Sequence, residues 1–298
     1  MFELYLLLVF NLFIKTAMTL FCKFYSKNTE QVKGASSLFN LIQIVVILFT
    51  WGILYFADYS FEASVLWYAL LFGVLYFLGN IGYMLAIKNG PLFLSNLFLN
   101  LSSVSLVVWG FFFWGAKVNA LVIIALIMVV LSVFLCMYKK KEKQDPDEKR
   151  EKITLKWIVY MIMAFVGNAG VGIVSRTQQM VYNGQHGNML MFYGTMIAVI
   201  VSVVDFIRVD KADFAKIEKK QSAYPVLAGV TNFIVNLLGL YFVSTPLSTN
   251  IIYPVLGVGC LMLVTIASKF IFKEKMAKVQ WAGVIVGAVA IALLSIVK

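Results

Sequence analysis

The 298-residue chain has few of the residues from which soluble active sites are built: one histidine, three cysteines and 14 acidic residues. A lone His186 cannot supply the three or four protein ligands of a metal centre. Cys22, Cys136 and Cys260 are odd in number and lie in or at the ends of apolar runs, so they read as small buried hydrophobes and not as a disulfide framework. The sequence holds no Gly-x-x-x-x-Gly-Lys-Ser/Thr, His-Glu-x-x-His or Gly-x-Ser-x-Gly, which leaves ATP-driven pumping, zinc proteolysis and serine hydrolysis unsupported. No catalytic residue, metal or cofactor is expected. Charge is also scarce: 13% of residues are charged, against roughly 25% in soluble domains.

What is present is apolar side chain. The hydrophobic share is 61% with Tyr counted and Gly not. With Gly in place of Tyr it is about 63%, against roughly 45–50% for soluble domains. A soluble fold of this size cannot bury so much, so the expectation is an all-α integral membrane protein. A spanning helix needs about 20 mostly apolar residues. Ten such runs are legible, at 2–22, 36–56, 64–86, 91–113, 119–138, 157–178, 189–208, 224–243, 250–271 and 277–297. They are too long, and alternate too rarely, for barrel strands. Of five prolines, Pro91, Pro225 and Pro246 fall at expected helix edges and Pro146 in a loop; Pro254 lies inside a run. The first run has its lysines after it and not before it, so it reads as a retained helix and not as a signal peptide.

The basic residues orient the runs. Twenty of the 25 lie in the loops of one side, from Lys23, Lys27 and Lys33 to Lys273, Lys275 and Lys278. The other side has Lys117 and Lys298, and Lys15, Arg176 and Lys269 lie within spans. This positive-inside bias predicts a multi-pass protein of the plasma (inner) membrane with both termini extracytoplasmic. It also accounts for the +11 net charge without a nucleic-acid partner. The longest polar segment, 139–156, reads as a charged cytoplasmic linker between five spans (1–138) and five spans (157–298). A shift of 158 residues sets Tyr83 on Tyr241 and Lys117 on Lys275, and overlays spans four and nine and spans five and ten. Because each unit has an odd number of spans, the second copy enters the bilayer from the opposite side. The expected architecture is two inverted five-helix repeats, a construction common in secondary transporters.

In this arrangement, and in the turns Phe113-Trp114-Gly115-Ala116-Lys117 and Ile271-Phe272-Lys273-Glu274-Lys275, the chain resembles the drug/metabolite transporter superfamily, in particular its bacterial EamA-like members. The resemblance covers nearly the whole chain. It implies a ten-span transporter; family members carry amino acids, nucleotide sugars, phosphorylated sugars, cations and drugs. Ala116 departs from the pattern, standing where an acidic residue is usual, whereas Glu274 keeps it.

Polar groups at membrane depth are costly and usually face a bundle interior or cavity. Asn11 and Lys15 are four apart on span one, on one face. Asn96, Asn100 and Ser103 stripe span four; Asn168 is central in span six; Asn232 and Asn236 are central in span eight; Tyr76 and Asn80 are four apart in span three. Tyr193 and Tyr253 lie off-centre. These residues are the candidate lining of a substrate chamber. The competing use of each asparagine is a hydrogen bond between helices. Arg176 and Lys23 read as interfacial anchors, with gating as the other use. No acid or histidine sits at comparable depth to relay protons, so facilitated diffusion or exchange is expected as readily as proton coupling. Gly283 and Gly287 form Gly-x-x-x-Gly, for packing within the protomer or for a homodimer contact. The expected function is secondary transport of a small polar metabolite, an amino acid or similar solute, by alternating access. A flippase for a lipid-linked carrier and a non-transporting membrane scaffold are the alternatives.

Overall fold

The structure, a computed structural model, describes residues 2–115, 120–137, 154–209, 214–243, 245, 249–272 and 277–296. These residues are helical throughout, with short connections. The α-helices are α1 (Phe2–Asn28), α2 (Ala35–Ala57), α3 (Val65–Asn89), α4 (Leu92–Phe113), α5 (Ala120–Met137), α6 (Leu155–Val181), α7 (Gly187–Arg208), α8 (Lys219–Val243), α9 (Thr249–Phe270) and α10 (Lys278–Ile296). One 3₁₀ turn, Phe214–Lys216, precedes α8. Six of the helices, α1, α2, α3, α6, α7 and α8, are long and apolar enough to cross a membrane. Large apolar side chains face outward on them, with Phe49 and Ile53 71% exposed and Trp67 73% exposed. Such a surface is stable against lipid and not against water, which makes this an all-α, multi-pass membrane protein. Most of the linker expected at 139–156 lies outside the described residues, as do Ala116, Lys117 and the turn at 273–276.

Two helix ends differ from the hydropathy reading by five residues or more. α1 continues to Asn28, beyond the expected 22. Its last turns keep a buried face in which Cys22, Tyr25 and Thr29 sit against the core, and Lys23 and Ser26 are buried with them. Buried polar residues hide this continuation from an apolar window. α8 begins at Lys219, before the expected 224, and Pro225 lies inside the helix rather than at its edge. The extra turn is polar and carries its own cap: the side-chain oxygen of Gln221 accepts from the Glu218 backbone N–H at 3.2 Å, half of a capping box. α6 starts similarly, with Thr154 accepting from Trp157 N–H at 3.2 Å.

The helices interleave across the two halves of the chain. α3 packs on α6 and α7, and α8 packs on α1 and α2; α4 packs on α6, and α9 on α1. α2 meets α7, α4 meets α9 and α5 meets α10. Two of these contacts need glycine. A Cβ on Gly167 of α6 would fall 2.2 Å from the Gly79 backbone nitrogen of α3, and one on Gly73 of α3 would fall 2.5 Å from the Gly194 carbonyl of α7. Gly283 and Gly287 are buried, and Ser132 of α5 donates to the Gly283 carbonyl at 2.6 Å, joining α5 to α10.

Candidate functional site

Midway along the bundle a cavity of about 270 Å³ opens between α1, α3, α4, α6, α7, α8 and α9. The helices bring their central polar residues to it: Lys15 from α1, Tyr76 and Asn80 from α3, Asn168 from α6, and Asn232 and Asn236 from α8. Spacing explains the convergence, since residues four apart share a helix face. Glycines 79, 167, 172 and 239 leave room on the same walls.

Hydrogen bonds fix the amides. Asn80 Nδ2 donates to the Tyr76 carbonyl at 2.8 Å. Asn236 Nδ2 donates to the Asn232 carbonyl at 2.9 Å and also reaches Asn232 Oδ1. The Tyr76 hydroxyl donates to the same Oδ1 at 2.9 Å, joining α3 to α8. Ser102 gives its proton to the Leu99 carbonyl and accepts from Asn168 Nδ2, joining α4 to α6. Backbone carbonyls only accept, so each chain of bonds has one direction. Lys15 Nζ lies 3.4 Å from the Leu256 carbonyl of α9.

The cavity leads to a larger one, about 780 Å³, at the end of the bundle that carries the α2–α3 and α6–α7 connections. Arg176, Gln179 and Leu240 line both and form the neck between them. The rim is tied across its two connections. His186 Nδ1 lies 3.0 Å from Ser60 Oγ, and the Tyr182 hydroxyl donates to Ser64 Oγ at 2.6 Å. Ser64 in turn donates to Glu62, which holds that carboxyl below the usual carboxylate range. Asn183, Gly184 and His186 take positive φ to make this turn.

The opposite end is shut. Tyr25, Phe39, Ile87, Leu92 and Trp157 form one buried cluster there. Trp157 Nε1 donates to Ser95 Oγ at 3.1 Å, and Lys88 Nζ donates to the Val32 carbonyl at 2.8 Å. Toward the same end, α1 and α9 carry a seam of buried hydroxyls. Thr16 and Thr19 of α1 are buried and turn their hydroxyls back onto Leu12 and Lys15 carbonyls. Thr265 and Ser268 of α9 are buried with hydroxyls that have no hydrogen-bond partner among the described residues.

The other expected site residues fall elsewhere. Asn11 is fully buried, off the cavity lining, with neither polar atom partnered among the described residues. Asn96 is buried and off the lining, in contact with Cys260. Tyr193 belongs to an aromatic cluster with Tyr55, Phe61 and Phe192, at 5.2–6.4 Å between ring centroids. The side chains of Asn100, Ser103 and Tyr253 lie outside the described residues. Sequence reasoning missed Arg176 as a wall residue, and Ser175 and Gln179 altogether. The signal was present: 168, 172, 175 and 179 follow one helix face.

The chain matches no protein-family model and no curated protein. Among solved structures, 28 chains are similar to it in fold. One of these, described as a crystal structure of protein, superposes with a TM-score of 0.62 at 11% sequence identity, covering 95% of each chain. That likeness is one of fold.

Proposed function

We propose that the chain is a secondary transporter of a small polar metabolite, working by alternating access across the plasma membrane. In this reading ten spans form two inverted five-helix repeats, 1–138 and 157–298, joined by a cytoplasmic linker, with both termini outside. The pairing of helices supports the repeat. Exchanging α1–α5 for α6–α10 turns α3·α6 into α8·α1, α3·α7 into α8·α2 and α4·α6 into α9·α1, and leaves α2·α7, α4·α9 and α5·α10 unchanged. The drug/metabolite transporter resemblance fits the same plan.

The observation that carries the function is a chamber with amides and two cations in its largely apolar wall, at the middle of a bundle with an apolar exterior, open toward one end and closed by a packed cluster toward the other. A chamber between repeats at mid-depth is where such carriers hold substrate. The packed polar seam is then the closed half of the path. Its unpartnered hydroxyls cost free energy while dry, and a state open at the other end would wet them. Reconstituted vesicles loaded with a ¹³C-labelled metabolite extract test the function. Wild-type protein should release at least one solute, read by mass spectrometry, and folded Lys15→Met protein should retain it. Equal release from both variants and from protein-free vesicles would contradict the reading.

A further inference from the structure

We infer that the chamber selects organic anions that carry hydroxyl groups. The inference rests on the transporter reading and names its substrate class. Two cations line the chamber, Lys15 at mid-depth and Arg176 at the neck. No carboxylate stands among the residues lining the deep cavity, and Asp58 lies in the outer vestibule. Arg176 makes no hydrogen bond or ion pair with another described residue. Among the described residues Lys15 donates one hydrogen bond, the long one to the Leu256 carbonyl. A cationic wall in a low-dielectric bundle favours a negative guest and repels a positive one.

The amides set the rest of the guest's chemistry. Both N–H groups of Asn236 Nδ2 are spent on Asn232, and one N–H of Asn168 Nδ2 is spent on Ser102. The amide oxygens of Asn168 and Asn236 accept no hydrogen bond from a described residue. The chamber therefore offers N–H donors, charged ones from its two cations and neutral ones left on Asn168 and Asn232, and C=O acceptors from Asn168 and Asn236. An anionic group, carboxylate or phosphate, meets the first; hydroxyl protons meet the second. An ammonium would suit the acceptors as well, but would sit beside two positive charges.

The test uses Val235→Cys, a near-isosteric change at the chamber wall, with Cys22, Cys136 and Cys260 replaced by Ala. An anionic sulfonatoethyl and a cationic trimethylammonioethyl methanethiosulfonate are compared, each rate divided by its rate with free thiol. The anionic reagent should be favoured at least about tenfold, and Lys15→Met with Arg176→Gln should erase the preference. Gluconate or glucose 6-phosphate should slow labelling, while glucose and glucosamine should not. Equal rates, a cationic preference, or protection by glucosamine overturns the anion claim and leaves a transporter standing. No labelling by either reagent means a dry chamber, and the transporter reading falls with the claim.

Discussion

At the residue scale the site is a small hydrogen-bond circuit with two loose ends of charge. The Tyr76 hydroxyl, the Asn232 amide and the Asn236 amide lock α3 to α8, and the cations stay nearly unspent. Hydrogen bonds between membrane helices average about 0.6 kcal/mol. Tyr76→Phe should therefore lower thermal stability only slightly, leaving Asn232 Oδ1 held by Asn236 alone; a large drop in melting temperature would contradict this. Asn11 is the opposite case. Its amide is fully buried and unpartnered among the described residues, a cost of about 1–3 kcal/mol. Asn11→Leu should raise the melting temperature in detergent, and a lower one would show that the amide is satisfied in the folded protein. Much of the lining was legible in sequence because the i, i+4 pairs on α3 and α8 have one polar face each. Asn11 was not, since the same spacing that pairs it with Lys15 does not decide which of the two reaches the cavity. Arg176 escaped because a cation near a helix end is usually an anchor, and its true neighbours come from the α2–α3 and α6–α7 connections.

At the element scale the critical event is the crossing of α3 and α6, where two backbones touch. Gly167→Ala would place a methyl against backbone atoms of Gly79, which cannot rotate away. Such overpacking costs about 1–3 kcal/mol, and the melting temperature should fall. Gly239 on α8 also lines the chamber, but a Cβ there meets nothing within 4 Å. Gly239→Ala should hold or raise stability, because Ala is favoured over Gly in helices by up to about 1 kcal/mol. Equal losses from both variants would refute the close-approach account. Helix existence followed from apolar length. Helix ends did not, because the last turns of α1 and the first turn of α8 are polar and are held by tertiary burial or by a cap.

At the scale of the whole molecule the question is which end opens. The shut end is held by an apolar cluster and two polar latches, Trp157 to Ser95 and Lys88 to the Val32 carbonyl. A hydrogen bond from a charged donor contributes about 1.5–3 kcal/mol, so under the proposed alternating access Lys88→Met should shift population toward a state open at that end. Seam residues such as Ser268 would then become more accessible, as read by thiol labelling of Ser268→Cys. The sequence could announce a repeat through its odd span count. It could not announce this asymmetry, because the packing around Trp157 and Lys88 joins residues far apart in the chain.

Side-specific labelling of sealed vesicles tests the central claim most directly. Val171→Cys on the chamber wall and Ile53→Cys on the apolar exterior are placed in a cysteine-free background and treated with a membrane-impermeant thiol reagent. The account predicts that Val171→Cys reacts from the vestibule side and is slow from the other, while Ile53→Cys reacts from neither. If Val171→Cys is as unreactive as Ile53→Cys from both sides, there is no water-filled chamber and the account is wrong.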